Sequence, residues 1–394
     1  MIKLSASSIR AFKSCPRRFL YNYIYGLHRI EETESLRIGS NWHKLLEILS
    51  WEPGGECPEC KDKDLFQCPV CDMNGGVLPD THLDMVRNYL DYVYNTAPVN
   101  KEPEDVEVER NRLLFSLMGY IEYFSEDEKN YETVATEIKF KLPLFDNGKP
   151  IPGVVIVGKI DRIFKDKAGG FYCIMEHKST GSSIDSDSTY WGNLTLDVQT
   201  LIYLCAANRL ASMGRIPGVP KGTVFKTLYN VWHKPRTAPK NLTQRDSKNF
   251  VETGEYYGQK FNVTGPGVDV PSEERDVYVN GTPVEYTSGR KDGTFAIKES
   301  PAMYGVRLLT DIQQNPGNHF ARKIIPRTQD DIDGFEQELV NIAKTIKYMR
   351  DNDLCFGNGD QCEATFKCEY LDYCYARRII LSDEIPEGFK RKYG

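Results

Sequence analysis

The stretch from Glu132 to Ser179 limits the fold more than any other part of this chain. Apolar and polar residues alternate through ETVATEIKFKLPL (132–144), VVIVGKIDRIF (154–164) and FYCIMEHKS (171–179). A period of two belongs to strands, so these segments predict three strands. The charged turn KDKAGG, with Gly169-Gly170, joins the last two as a hairpin.

Helical spacing surrounds them. Residues 5–25 read as a helix whose serines (Ser5, Ser7, Ser8) can cap its first turn. A second helix is expected from Gly39 to about Leu49, carrying Trp42, Leu45, Leu46 and Ile48, and helical patterning returns over 82–125. Residues 197–212 (DVQTLIYLCAANRLAS) predict another helix, KGTVFKTLYNVWHK a further strand, and 329–351 a long amphipathic helix with Ile332, Phe335, Leu339, Ile342 and Ile346 on one face. Residues 235–295 are rich in Pro, Gly, Asn, Asp and Ser and read as an extended insertion. The expectation is an α/β core, a mixed sheet flanked by helices. Its divisions are N-terminal helices (1–50), a cysteine-bearing insertion (52–80), a core (81–212), a strand with an extended insertion (213–328), and a C-terminal helix with cysteines (329–394).

At 394 residues the chain can bury a large core. No apolar run approaches the length of a membrane span, and MIKLSASSIRAFKSCPRRF lacks the apolar core of a signal peptide. A cytoplasmic location is therefore expected. The formal charge of -6 neither favours nor excludes a nucleic-acid partner, because positive charge can be confined to one groove. There is no GxxxxGK[ST] loop, so no ATP-driven motor is expected.

Asp161 ends one apolar strand, and Glu176 and Lys178 end the next. Side chains two apart share a face, so the hairpin gathers two carboxylates and an ammonium at one edge of the sheet. Such carboxylates can hold Mg²⁺ or Mn²⁺, and a lysine beside them can orient a water or stabilise charge on a phosphate. The plainer alternative is a set of solvated charges at strand ends.

Several blocks in order extend the pattern: CPRRFLYNYI, GSNWH (Gly39–His43), TEIKFKLPL, GKID (Gly158–Asp161), EHK (Glu176–Lys178) and QTLIY. Together they resemble the PD-(D/E)XK nuclease superfamily, and within it the RecB- and AddB-like iron-sulfur nucleases, with CRISPR-associated and phage recombination-type exonucleases among the relatives. The resemblance implies that His43, Asp161 and Glu176 are metal ligands, joined by the backbone carbonyl of His177, and that Lys178 assists the attacking water. Gln199 and Tyr203, four apart on one helical face, would hold DNA or position the lysine. Their alternative is a polar patch on an amphipathic helix. Glu137 also matches a family strand position, with a role that can be purely structural.

The eleven cysteines mostly cluster. CPECKDKDLFQCPVC places Cys57, Cys60, Cys68 and Cys71 as C-x2-C-x7-C-x2-C, two knuckles suited to one tetrahedral Zn²⁺. Cys362, Cys368 and Cys374 resemble the C-terminal block of the family's iron-sulfur members, whose fourth ligand, an N-terminal cysteine, is matched by Cys15. The resemblance implies a [4Fe–4S] cluster clamping the two ends of the fold. Cys355 is an alternative ligand, and zinc an alternative metal.

The expected function is metal-dependent DNA hydrolysis, exonucleolytic, in recombination, repair or replication, with DNA as substrate and a helicase or recombination protein as a possible partner. The rivals are a catalytically silent module that binds DNA ends and a site-specific endonuclease.

Overall fold

The computed structural model describes residues 1–30, 33–60, 68–71, 76–95, 101–264, 277–291, 294–364 and 367–392. Strand β1 (Ile2–Leu4) leads into helix α1 (Ala6–Ser14) through a capping box: the Ser5 hydroxyl accepts from the Ser8 N–H, and Ser8 Oγ accepts from the Ser5 N–H. The helix stops at Cys15, which is extended because the following proline disfavours a helical residue ahead of it. It resumes as α2 (Pro16–Phe19) and a π-helical turn (Leu20–Ile24), followed by β2 (Leu27–Arg29). Helix α3 (Glu34–Ile48) starts at Glu34 rather than Gly39. Its first turn is exposed and polar except for Leu36, so apolar periodicity could not mark it. The helical patterning expected over 82–125 is carried by two helices, α4 (His82–Tyr94) and α5 (Pro103–Tyr123), the second opening on a proline whose missing N–H costs nothing there.

After the short α6 (Asp127–Asn130), β3 (Tyr131–Asp146) and β4 (Lys149–Asp166) form a long hairpin. Asn147 and Gly148 turn it with positive φ (48° and 76°), as a tight two-residue turn requires. Next come β5 (Tyr172–Thr180), α7 (Thr189–Leu194), α8 (Val198–Ser212) and β6 (Lys226–His233). Where the sequence shows little periodicity, the described residues still build regular structure. They form α9 (Gln244–Thr253) and the short strands β7 (Glu255–Tyr256), β8 (Gln259–Lys260), β9 (Val263–Thr264), β10 (Val277–Val279), β11 (Thr282–Val284), β12 (Tyr286–Ser288) and β13 (Phe295–Ile297). These pack around Leu242, Phe250, Val277 and Ile297. Strands of two or three residues are too short for a period of two to register in sequence. The chain ends with α10 (Pro301–Gln314), β14 (Phe320–Ile324), α11 (Gln329–Asp351), α12 (Leu371–Tyr375) and β15 (Phe389–Arg391).

Among the described residues the main sheet has six strands in the order β1-β4-β5-β6-β14, with β3 also paired to β4. It is mixed: β1 runs parallel to β4 and β6 to β5, while the other pairs are antiparallel. Helices α1, α8 and α11 share one apolar core with β1, β3 and β4, in which Leu4, Ile156, Ile202 and Leu339 are buried. Helices α3, α4, α5 and α10 share a second with Trp232 and Phe320. One edge of β4 carries β3 along its length. The other is divided, because β1 takes Val154–Ile156 and β5 takes Arg162–Lys165. Neither reaches Val157–Asp161 in register, and the gap they leave positions the site. The carboxylate-lysine group thus lies inside the sheet, where two strands part, and not at its edge as the hairpin alone suggested.

Candidate active site

Strand β4 pairs with β3 on both sides of Arg162, while β5 pairs with it only over Arg162–Lys165 and continues from there along β6 as far as Thr180. The parting frees the His177 N–H from the β4 ladder, and Asp161 Oδ2 accepts it at 3.0 Å. Glu176 and Lys178 project from β5 toward α8. The ammonium of Lys178 lies 2.9 Å from Glu176 Oε1 and 3.3 Å from Asp197 Oδ2, and it donates to Gln199 Oε1 at 2.8 Å. Gln199 Nε2 in turn donates to the Tyr203 hydroxyl at 3.2 Å. The lysine is therefore held on three sides.

His43 arrives from the opposite layer. Gly39 lets α3 pass close over β5, since a Cβ there would sit 3.2 Å from Ser179 Oγ. One turn later His43 Nδ1 is 3.6 Å from Asp161 Oδ2, with 37% of its side chain accessible. The His177 side chain, alternate to Glu176 and Lys178, points away from them. Its Nδ1 accepts from Asn230 Nδ2 at 2.8 Å, and Asn230 also joins the Tyr120 hydroxyl and Arg322 (both 2.9 Å), itself paired with Asp127. Glu137 falls between the pairs Thr136↔Arg162 and Ile138↔Ile160, across from Asp161, with a left-handed backbone (φ 54°) unusual for a non-glycine residue within a strand. Its carboxylate pairs with Lys159.

The electrostatics favour a cation. Glu176 is 0% exposed; its Oε1 is in charge contact with the Lys178 ammonium at 2.9 Å, and its Oε2 has no hydrogen-bond partner among the described residues. Burial pushes both Asp161 and Glu176 up to about 7; the Glu137 carboxylate adds to the rise at Asp161, and the Asp161 carboxylate to the rise at Glu176. Burial opposes the charge on Lys178, but Glu176 and Asp197 outweigh it and the pKa is raised. Burial lowers both histidines, His177 well below its ordinary value, which keeps their imidazoles neutral. A carboxylate with one oxygen unpartnered, a second carboxylate and a neutral imidazole near one gap are donor types that suit Mg²⁺ or Mn²⁺, and their ligand atoms do not all lie within 4.8 Å of one another.

The cysteines form two separate groups. The Sγ atoms of Cys57, Cys60, Cys68 and Cys71 all lie within 4.8 Å of one another, at 3.7 Å for Cys57–Cys68 and 3.5 Å for Cys60–Cys71. Four sulfurs about 2.3 Å from one tetrahedral ion stand about 3.8 Å apart, so these thiols fit a single ion. Residues 61–67, between the knuckles, lie outside the described residues. Among the described residues no other group of three or more such side chains closes to this distance, and Cys15, Cys362, Cys368 and Cys374 stand wider apart. Those four instead line one small cavity together with Arg17, Asn358 and Tyr370. Cys355 is not part of that lining.

Sequence reasoning named the residues at the gap but missed their supports. Asp197 caps α8, accepting from the Gln199 N–H at 3.1 Å, and touches Lys178. The aspartate directly before a predicted helix was the available signal. Asn230, Tyr120 and Arg322, which hold His177 from behind, come from three distant segments with no local pattern in common.

No helix among the described residues is long and apolar enough to cross a membrane. The family model described as the PD-(D/E)XK nuclease superfamily matches residues 3–375. No curated protein matches the chain.

Proposed function

This chain belongs to the PD-(D/E)XK nuclease superfamily, and from that premise we propose that it is a divalent-metal-dependent deoxyribonuclease of the RecB/AddB-like iron-sulfur type, degrading linear DNA from its ends. The observation that carries the reading is the buried Glu176 carboxylate, whose Oε2 lacks a hydrogen-bond partner, set beside Asp161, His43 and Lys178 where β4 and β5 part. Asp161, Glu176 and His43, with the His177 carbonyl, are the residues that would hold Mg²⁺ or Mn²⁺. Such an ion neutralises phosphate charge and acidifies a bound water. Lys178, steadied by Gln199 and Asp197, is placed to orient that water or to donate to a phosphate oxygen. Tyr203 holds Gln199 in turn. DNA is gripped through backbone and shape.

Zn²⁺ is the ion we assign to Cys57, Cys60, Cys68 and Cys71, since four thiolates at tetrahedral spacing suit it. For Cys15, Cys362, Cys368 and Cys374 we assign a [4Fe–4S] cluster. Thiols too far apart for one ion, lining one cavity, suit a polynuclear group. The process served is recombination, repair or replication, in the cytoplasm, with processive work on duplex DNA drawing either on a partner helicase or on an intrinsic grip on ends.

The test compares wild type with Lys178→Ala on end-labelled linear and closed circular DNA, in Mg²⁺, Mn²⁺ or EDTA. Metal-dependent loss of the linear substrate alone, abolished in the variant, is expected. Cutting of the circle replaces the exonuclease by an endonuclease. End binding without cutting in any metal leaves a silent DNA-binding module.

A further inference from the structure

The helix that delivers His43 is tied at the next residue to the cysteine knuckle. Lys44 pairs with Glu59, which lies between Cys57 and Cys60, and sits 4.7 Å over the Trp51 ring. The same ammonium is 3.1 Å from Glu47 Oε1, and Glu47 Oε2 is 3.7 Å from Lys159. Lys159 pairs with Glu137. Lys159 shares a face of β4 with Asp161, and Glu137 stands across from Asp161, so a chain of charges runs from the knuckle to the flank of the catalytic carboxylate. The side chains of Lys44, Glu47 and Glu59 are only 17–22% accessible, so solvent screens the pairs at Lys44 less than pairs on the open surface, whereas Lys159, 43% accessible, is screened more. Cys57, Cys68, Val70 and Cys71 are buried in one core with Trp42, Leu45 and Ile48 of α3, which makes the knuckle part of the wall that supports the helix.

We propose that Lys44 is a positioning residue. The filled knuckle, acting through Glu59 and Lys44, holds α3 so that His43 stays within reach of Asp161, and thereby sets the affinity of the active site for its divalent ion. This rests on reading the knuckle as a zinc site and His43 as a ligand. A helix without that anchor presents His43 correctly for a smaller fraction of the time. Apparent affinity falls by that fraction, while the rate at saturating metal is preserved.

The test uses full-length, zinc-loaded Lys44→Met, which keeps every cysteine and every ligand. A through-space effect and a positioning effect have opposite signs here. Losing a cation near two carboxylates strengthens metal binding by Coulomb's law, whereas losing the anchor weakens it. With zinc content unchanged by elemental analysis, Mn²⁺ titrated by electron paramagnetic resonance should bind about 3- to 10-fold more weakly, near the lower end for groups that orient ligands. The maximal rate on linear DNA at saturating Mn²⁺ should match wild type. Mn²⁺ affinity equal to or tighter than wild type overturns the coupling. Lys44→Gln, a milder change of the same sign, serves if Lys44→Met does not fold; weaker Mn²⁺ binding supports the proposal and wild-type or tighter affinity overturns it. Wild-type protein without zinc overturns the knuckle reading and the proposal with it, whereas zinc present with unaltered Mn²⁺ affinity in both variants overturns the proposal alone.

Discussion

At the scale of single residues, Glu176 and Asp161 decide how the site behaves. Both hold protons up to about pH 7 in the metal-free protein because burial penalises their charge. Unfolded, they titrate at about 4. Between those values the folded state binds more protons than the unfolded state, so stability falls as pH rises through about 4 to 7. The melting temperature of metal-free protein should therefore drop across that window in calorimetry, and added Mg²⁺ should restore it by taking the protons' place. Hydrolysis should run the other way, climbing as pH rises through about 7 and the ligands are freed for metal. Lys178→Ala removes the ammonium aimed at the reacting phosphate and should cost roughly 10²- to 10³-fold in rate. Gln199→Ala leaves that ammonium in place but unsteadied, and should cost on the order of tenfold. End-labelled DNA assays at saturating Mn²⁺ measure both, and equal losses in the two variants would contradict the positioning role of Gln199.

At the scale of elements, close approach explains the glycine of GKID. A Cβ on Gly158 would lie 2.5 Å from Phe140 and 3.0 Å from Tyr203, the residue that steadies Gln199. Gly158→Ala should overpack the β3–β4–α8 junction and cost about 1–3 kcal/mol, read by urea denaturation, and it should disturb the rate by moving Tyr203. Helix α3 depends on packing from the other layer. Trp42 is fully buried and stacks on Trp232 at 4.1 Å, while Arg37 makes two hydrogen bonds to buried Glu109. Trp42→Ala should cost about 3–5 kcal/mol, and a cost under about 1 kcal/mol would show that the helix is held mainly by its charges.

At the scale of the whole molecule, the two ends of the chain are clasped. β15 pairs with β2, the Tyr370 hydroxyl donates to the Leu27 carbonyl at 2.7 Å, and Arg18 meets Glu369 at 3.1 Å, around the cavity lined by Cys15, Cys362, Cys368 and Cys374. A group bound by all four thiols closes a loop of most of the chain length, which restricts the unfolded state. Cys374→Ser should lose iron and visible absorbance, keep zinc, and unfold at a lower temperature in a calorimetric scan. An unchanged melting temperature would leave the clasp to β15 and Tyr370 alone.

Alternation, punctuation and spacing in the sequence determined the central hairpin, the helices after Asp197 and Thr328, the Asp161–Glu176–Lys178 set and the two cysteine groups. Each is a local pattern, written within a few turns or strands of chain. Tertiary structure alone decided that β1 and β5 divide the edge of β4, that the gap between them admits His43 from the opposite layer, and that β14 completes the sheet. It likewise brought Asn230, Tyr120 and Arg322 together behind His177. These features join segments as much as 202 residues apart, through packing and charge pairing that depend on which surfaces meet and leave no period in the chain.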